Sequence, residues 1–179
     1  MIADIIVEDG SGVTGANSYI SYDTFNTYCT TRGHDISSYT ESQLSGAIIK
    51  GADYLDRAWF WPGYRTSSSQ AMQWPRTGAY YRDGYYIEST EIPTGLACAQ
   101  SEYAFASLSE SLYPGSDTSN IKSISESVSS LKTSTTYFEN VSADPIFTHG
   151  DNCVKNIRGV TKVNGPKITS GVLWALKEG

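Results

Sequence analysis

The stretch that decides the fold reads TESQLSGAIIKGADYLDRAWFWPG over residues 40–63. Thr40 followed by Gln43 predicts a capping box at the start of a helix. Apolar and small residues then recur at helical spacing until Pro62-Gly63 ends the run: Leu44, Ala47, Ile48, Gly51, Ala52, Leu55 and Trp59. The pattern predicts a helix with one apolar face, and other elements of the chain must cover that face.

Two further helices flank this one in the sequence. Ser21 or Asp23 can cap a short helix over about residues 22–32, and Gly33 is placed to stop it. Pro93 opens a third helix, which keeps the 3.6-residue period until Pro114-Gly115.

The second half of the chain has a different composition. Nine of the eighteen residues in 121–138 are Ser or Thr, which favours a β-hairpin turning near Ser129 over a helix interior. From residue 144 onward, prolines and glycines leave only short apolar runs. The sequence therefore predicts a mainly α fold, a small helical bundle with an inserted β-hairpin and an extended C-terminal arm. Residues 1–143 are the predicted helical domain, and residues 144–179 are the arm.

Composition limits the function classes. The 179 residues suffice for one domain, and no run approaches the roughly 20 apolar residues that a membrane span needs. The start of the chain lacks the pattern of a secretory signal, so we expect a soluble protein made in a cytoplasm. Cys29, Cys98 and Cys153 are far apart and odd in number, which predicts reduced thiols and no zinc or iron-sulfur site.

Charge is unevenly distributed along the chain. Residues 1–150 carry 8 Lys or Arg against 17 Asp or Glu, giving −9, and residues 151–179 carry 5 against 2, giving +3. An acidic body with a basic end is typical of a chain with an interaction arm. The alternative is a solvated, flexible end.

Catalytic patterns are not found in the sequence. His34 and His149 lie in predicted loops without nucleophile or metal-ligand spacing around them. Asp53 and Asp56 could share a helix face as paired carboxylates, but with Arg57 adjacent we expect a solvated face with ordinary ion pairs. The prediction is a protein that is not an enzyme, with no catalytic, metal or cofactor site.

The segment Tyr80–Tyr86 is the clearest candidate for nucleic-acid contact. Asp83-Gly84 between paired tyrosines predicts a tight hairpin, and tyrosine faces next to Arg82 can stack on unpaired bases. A sequence pI of about 4.8 argues against this function, because affinity for DNA comes largely from Lys and Arg contacts to phosphate. The alternative is that these tyrosines pack against the domain's own core or a neighbouring subunit.

Several motifs in a fixed order resemble a known family. Val7-Glu8-Asp9-Gly10 and Ala16–Ile20 precede the first two helices, and Ile92-Pro93 leads into the third. Between them lie the most characteristic residues, Gln70, Gln73, Trp74, Pro75 and Arg76. Over residues 5 to about 138 the chain resembles the head-tail connector adaptors of tailed phages, a family that also carries the description DnaT-like single-stranded-DNA-binding proteins.

This resemblance implies a structural virion protein located in the phage neck and assembled in the host cytoplasm. Its copies would form a ring, commonly dodecameric, between the portal protein and the tail or nozzle proteins. Genomic DNA would pass through the channel without specific binding, and an acidic lumen would repel its phosphates. A single-stranded-DNA-binding module is the alternative function.

Two groups of residues are predicted to carry these contacts. Because Pro75 biases Trp74 toward an extended backbone, we expect the indole to fill the gap between the second and third helices, or else this motif to contact a neighbouring subunit through Arg76. The basic end is the predicted docking arm for the portal or a neighbour, unless it folds back onto its own domain. Its proposed contacts are Lys155, Arg158, Val160, Lys162, Lys167, Leu173 and Trp174, with Trp174 as the main anchor.

Overall fold

A computed structural model describes residues 4–113 and 147–163 of the chain. The predicted hairpin at 121–138 and the arm residues from 164 onward lie outside the described residues. In chain order, the elements are α1 (Tyr22–Arg32), α2 (Glu41–Ala58), β1 (Trp59–Phe60), β2 (Tyr64–Arg65), β3 (Arg76–Thr77), α3 (Thr94–Ala106), α4 (Thr148–Val154) and β4 (Thr161–Lys162).

The ends of the first two helices follow the sequence signals. The Ser21 side chain accepts a hydrogen bond from the Thr24 N–H at the start of α1, and Gly33 ends this helix in the left-handed region at φ 71°. Thr40 and Gln43 form the predicted capping box of α2. The predicted bounds of α1 and the predicted start of α2 are therefore confirmed.

The centre of the molecule is the contact between α2 and α3. Gly51 faces α3 so closely that a Cβ atom there would lie 2.7 Å from the carbonyl oxygen of Gln100. The Gln100 amide accepts from the Tyr19 N–H at 2.8 Å and donates to Ser18 Oγ at 2.6 Å and to the Ile48 carbonyl at 3.0 Å. This one buried side chain therefore fastens the N-terminal segment to both central helices.

A mainly α bundle is the wrong fold class for the described residues. They are about 39% helical and 11% strand, which makes a small mixed α/β fold. The strands form two antiparallel pairs, β1 with β4 and β2 with β3, and isolated bridges extend the pairing. Repeated turns between residues 59 and 93 explain the difference, because this long connection forms short ladders where a bundle would have a simple loop.

The extended C-terminal arm is also wrong over residues 147–163. Val154 and Ile157 are buried in the main core, and β4 pairs with β1. Gly150 lies against the Tyr103 ring, where a Cβ atom would come within 2.5 Å of a ring carbon. In this stretch, Ile157 is thus a core residue of the chain's own domain, and Val160 packs against that core partly buried.

The cysteines differ from the prediction as well. Cys98 of α3 and Cys153 of α4 form a disulfide, and Cys29 is a buried free thiol. Their separation of 55 residues in sequence hid the pairing, because only the packing of α4 against α3 brings them together. None of the helices in the described ranges is both long and apolar enough to span a membrane.

Candidate nucleic-acid interface

The long connection between α2 and α3 is organised by the residues that carry the family resemblance. Trp74 is fully buried in the main core, and its peptide bond to Pro75 is cis. The buried Gln70 amide donates to the carbonyls of Met72 at 2.8 Å and Pro75 at 3.0 Å. Gln70 thus bonds to the backbone on both sides of the buried Trp74.

Arg76 fixes the other side of this loop. Its guanidinium donates to the carbonyl oxygens of Pro62 at 2.7 Å, Gly63 at 2.8 Å and Gln73 at 3.0 Å. Its Nη1 also donates to the side-chain oxygen of Gln73 at 3.2 Å. The side chain is therefore committed to its own chain's backbone, and this geometry places β2 and β3 side by side.

Asp56 is part of the same network, and it corrects the expectation of a solvated helix face. Its carboxylate is partly buried, accepting from the Tyr19 hydroxyl at 2.5 Å and from the Gln73 N–H at 3.0 Å. Burial raises the pKa of Asp56 to about 6, against the lowering effect of these hydrogen bonds. Asp53 does make the expected exposed ion pair, with Arg57 at 4.0 Å.

The segment that follows β3 carries a row of exposed side chains. Tyr80 pairs antiparallel with Tyr86 across the predicted hairpin, which is thereby confirmed. The strand segment that contains Tyr80 pairs on its other edge with the segment that follows α4. There the Arg158 N–H donates to the Tyr80 carbonyl at 2.9 Å, and Tyr81 forms an antiparallel bridge with Ile157. Residues directly opposite each other in antiparallel strands point to the same face. Tyr86, Tyr80 and Arg158 therefore lie in a row on one surface.

The row continues onto the neighbouring strand pair. Tyr64 of β2 is the register partner of Thr77 in β3, and the Thr77 hydroxyl lies 3.3 Å from that of Tyr86. The Tyr80 and Tyr86 rings meet edge to face, with centroids 5.4 Å apart. Tyr64, Tyr80 and Tyr86 are 78%, 44% and 40% exposed. We call these three residues the tyrosine face.

The turn of the hairpin stands at one end of this face. Gly84 has φ 97°, and its N–H donates to the Tyr81 carbonyl at 3.0 Å. Tyr85 follows directly and is 73% exposed at the tip. Tyr81 points inward, and its hydroxyl donates to Glu91.

The charge around the tyrosine face is opposite in sign to that of the whole chain. The exposed charges of residues 64–66, 76–88 and 155–158 are four Lys or Arg against Asp83 and Glu88, giving +2, whereas the whole chain carries −6. The cations of these segments are Arg65, Arg76, Arg82, Lys155 and Arg158. Arg76 is buried, and the other four are exposed. A surface of this kind combines stacking platforms with cations for phosphate.

The predicted arm residues take different places. Lys155 and Arg158 are exposed beside the hairpin, and Val160 is partly buried against the core. Lys162 donates to the Asp151 carboxylate at 3.0 Å in a pair with little exposure. Lys167, Leu173 and Trp174 lie outside the described residues, and a docking role for the arm stays a prediction.

The sequence did not predict Tyr64 as part of a binding surface, and it predicted Arg158 only as a contact of the C-terminal arm. Tyr64 and Arg158 lie far from the Tyr80–Tyr86 segment in sequence, and only strand pairing brings them to it. A two-residue strand gives no readable periodicity, so no sequence signal predicted either neighbour. Groups of three or more acidic, His or Cys side chains that could hold a metal do not occur in the described part.

Fold and surface together define a small α/β domain with an exposed face of tyrosines and arginine. The chain belongs to the family described as "Putative DnaT-like ssDNA binding protein", whose family model matches residues 3–170. No curated protein and no solved structure matches the chain. The family description concerns single-stranded DNA, so it favours the alternative function from the sequence over the connector adaptor.

Proposed function

We propose that the protein binds single-stranded DNA through the tyrosine face. The observation that carries the proposal is the row of Tyr86, Tyr80 and Arg158, extended by Tyr64, on one exposed surface. Unpaired bases stack on aromatic rings whatever their identity, and each stacked base contributes about 1–3 kcal/mol. The function proposed is therefore sequence-tolerant, and the family description supports it.

The acidic composition of the whole chain does not exclude DNA binding, because the charge next to the tyrosine face is positive. Association with a polyphosphate depends on the cations that contact it, and charges beyond about one Debye length, roughly 8–10 Å, are largely screened. The +2 balance of exposed charges in the three segments is thus the relevant quantity near the face. The acidic remainder of the domain disfavours binding elsewhere on its surface.

The proposal is tested by titrating a fluorescent oligothymidine with the protein at about 0.1 M salt, where the Debye length is about 10 Å, and following anisotropy. Tyr64→Ala should weaken binding about 5- to 150-fold, the equivalent of one lost stacking contact. Tyr64→Phe should bind like the unchanged protein, because the ring is retained. Since Tyr64 is 78% exposed, neither substitution should alter the melting temperature.

Tyr113→Ala is the matched control. Tyr113 is also exposed, but its ring packs against Tyr54 of α2 and its hydroxyl donates to the Asp53 carbonyl. It should leave DNA affinity unchanged. The proposal fails if the protein is not retained on single strands at this salt concentration, or if Tyr64→Ala and Tyr86→Ala both bind as tightly as the unchanged protein.

The connector adaptor is the second candidate. The −9 balance of residues 1–150 suits a DNA channel that repels phosphate, and exposed tyrosines are common at subunit interfaces. In this case the tyrosine face would contact a neighbouring copy in a ring beneath the portal. Purified phage particles should then contain the protein at the stoichiometry of the portal, and its absence from mature particles would exclude this role.

A further inference from the structure

A cleft of about 410 Å³ lies between the hairpin turn and the end of α4. It is lined by Tyr81, Arg82, Asp83, Asn152, Lys155 and Asn156. The Arg82 N–H donates to the Asn156 carbonyl at 2.7 Å, so the two walls are joined by the same strand pairing that places Arg158 beside Tyr80. The cleft is therefore a fixed neighbour of the tyrosine face.

The lining of the cleft favours an anion. Arg82 and Lys155 are both exposed cations, and the only carboxylate among the lining residues, Asp83, accepts a hydrogen bond from the Tyr85 N–H at 3.3 Å within the turn. Lys155 Nζ donates to Asn152 Oδ1 at 2.7 Å, which leaves the Asn152 amide nitrogen as a further donor. A guanidinium with an ammonium and amide donors suits phosphate oxygens.

The end of α4 sets a condition on such a site. Lys155 caps the C-terminus of this helix, where the last carbonyl groups carry partial negative charge. That charge opposes an anion, so a phosphate held here needs both cations. Removing either one should therefore weaken the site.

The position of the cleft indicates which phosphate it would hold. Arg82 lies two residues beyond Tyr80, so the Cα atoms of the two residues are about 6.6 Å apart along an extended backbone. The sugar and phosphate of a single nucleotide can span this distance. We infer that the cleft binds one backbone phosphate of the strand whose bases stack on the tyrosine face; this inference rests on the proposed function.

The salt dependence of DNA binding provides the test, because it counts phosphate contacts. For single strands, the slope of log K against log salt changes by about 0.7 for each contact. Arg82→Gln and Lys155→Gln should each make the slope shallower by about this amount. Lys50→Gln, which removes an exposed cation from α2, should leave the slope unchanged. Tyr64→Ala should lower affinity without changing the slope.

A second measurement separates the cleft from the face. Inorganic phosphate titrated into the labelled protein should shift the NMR signals of the Asn152 and Asn156 side-chain amides, and Lys155→Gln should abolish the shifts. If DNA binds but both cleft variants keep the full slope, the phosphate site is refuted and the tyrosine face stands. If DNA does not bind, the proposed function fails, and absence of the amide shifts would then refute the phosphate site as well.

Discussion

Asp56→Asn should change how the stability of the fold depends on pH. The folded protein raises the pKa of Asp56 from 3.8 to about 6, chiefly because burial disfavours the charged carboxylate. A raised pKa means that the protonated form is stabilised by folding, so its contribution is full below the unfolded pKa and is lost as pH rises through the folded one. The shift of about 2 units corresponds to about 3 kcal/mol. Because the side chain keeps some contact with water, we expect about 2 kcal/mol.

The assay is urea unfolding of both proteins at several pH values. The difference in unfolding free energy, unchanged protein minus Asp56→Asn, should fall by about 2 kcal/mol between about pH 4 and pH 7. Asp53→Asn is the control, because Asp53 lies on the same helix and makes only an exposed ion pair with Arg57. A difference for Asp56→Asn that stays flat or rises over this range would refute the argument.

Three further predictions concern buried contacts of the fold. Gly51→Ala should lower the free energy of unfolding by about 1–3 kcal/mol, because its Cβ atom would clash with the backbone of α3. Gly46→Ala has open space at its Cβ position and should raise the free energy of unfolding by up to about 1 kcal/mol in the same assay. Lys162→Met should lower the free energy of unfolding by about 3 kcal/mol, because Asp151 loses its ion pair. Adding Asp151→Asn to Lys162→Met should restore part of this stability, and the double-mutant cycle gives the coupling energy of the pair. Gln100→Ala should lower the free energy of unfolding by about 3 kcal/mol, because three buried groups lose their hydrogen-bond partner. An unchanged melting temperature would contradict the role of Gln100 in joining the N-terminal segment to the two central helices.

The parts of the fold that depend on local signals could be read from the sequence. The capping box of α2 and the glycine that ends α1 act within a few residues, so the pattern and the structure agree there. The hairpin at Asp83-Gly84 is equally local. In each case the same few residues carry both the signal and the structure.

The errors concern contacts between residues far apart in sequence. The stretch 147–163 has short apolar runs between glycines, and such runs fit either an exposed docking segment or a core element. Its burial depends on Tyr103 and β1, which lie more than 40 residues away in sequence. The partly buried carboxylate of Asp56 was not predicted for the same reason, because the Tyr19 hydroxyl and the Gln73 N–H come from two other segments.

The net charge of the whole chain does not describe the charge next to the tyrosine face. A pI of about 4.8 describes the sum over the chain, whereas binding depends on what lies within a screening length of the ligand. The +3 end that suggested an arm is partly folded against the hairpin, where Lys155 and Arg158 add to Arg82. Lys155 and Arg158, which the sequence assigns to a docking arm, therefore lie beside the aromatic surface, and the docking role itself stays a prediction. Charge asymmetry along a sequence identifies an interaction site only after folding shows which segment the charged end lies against.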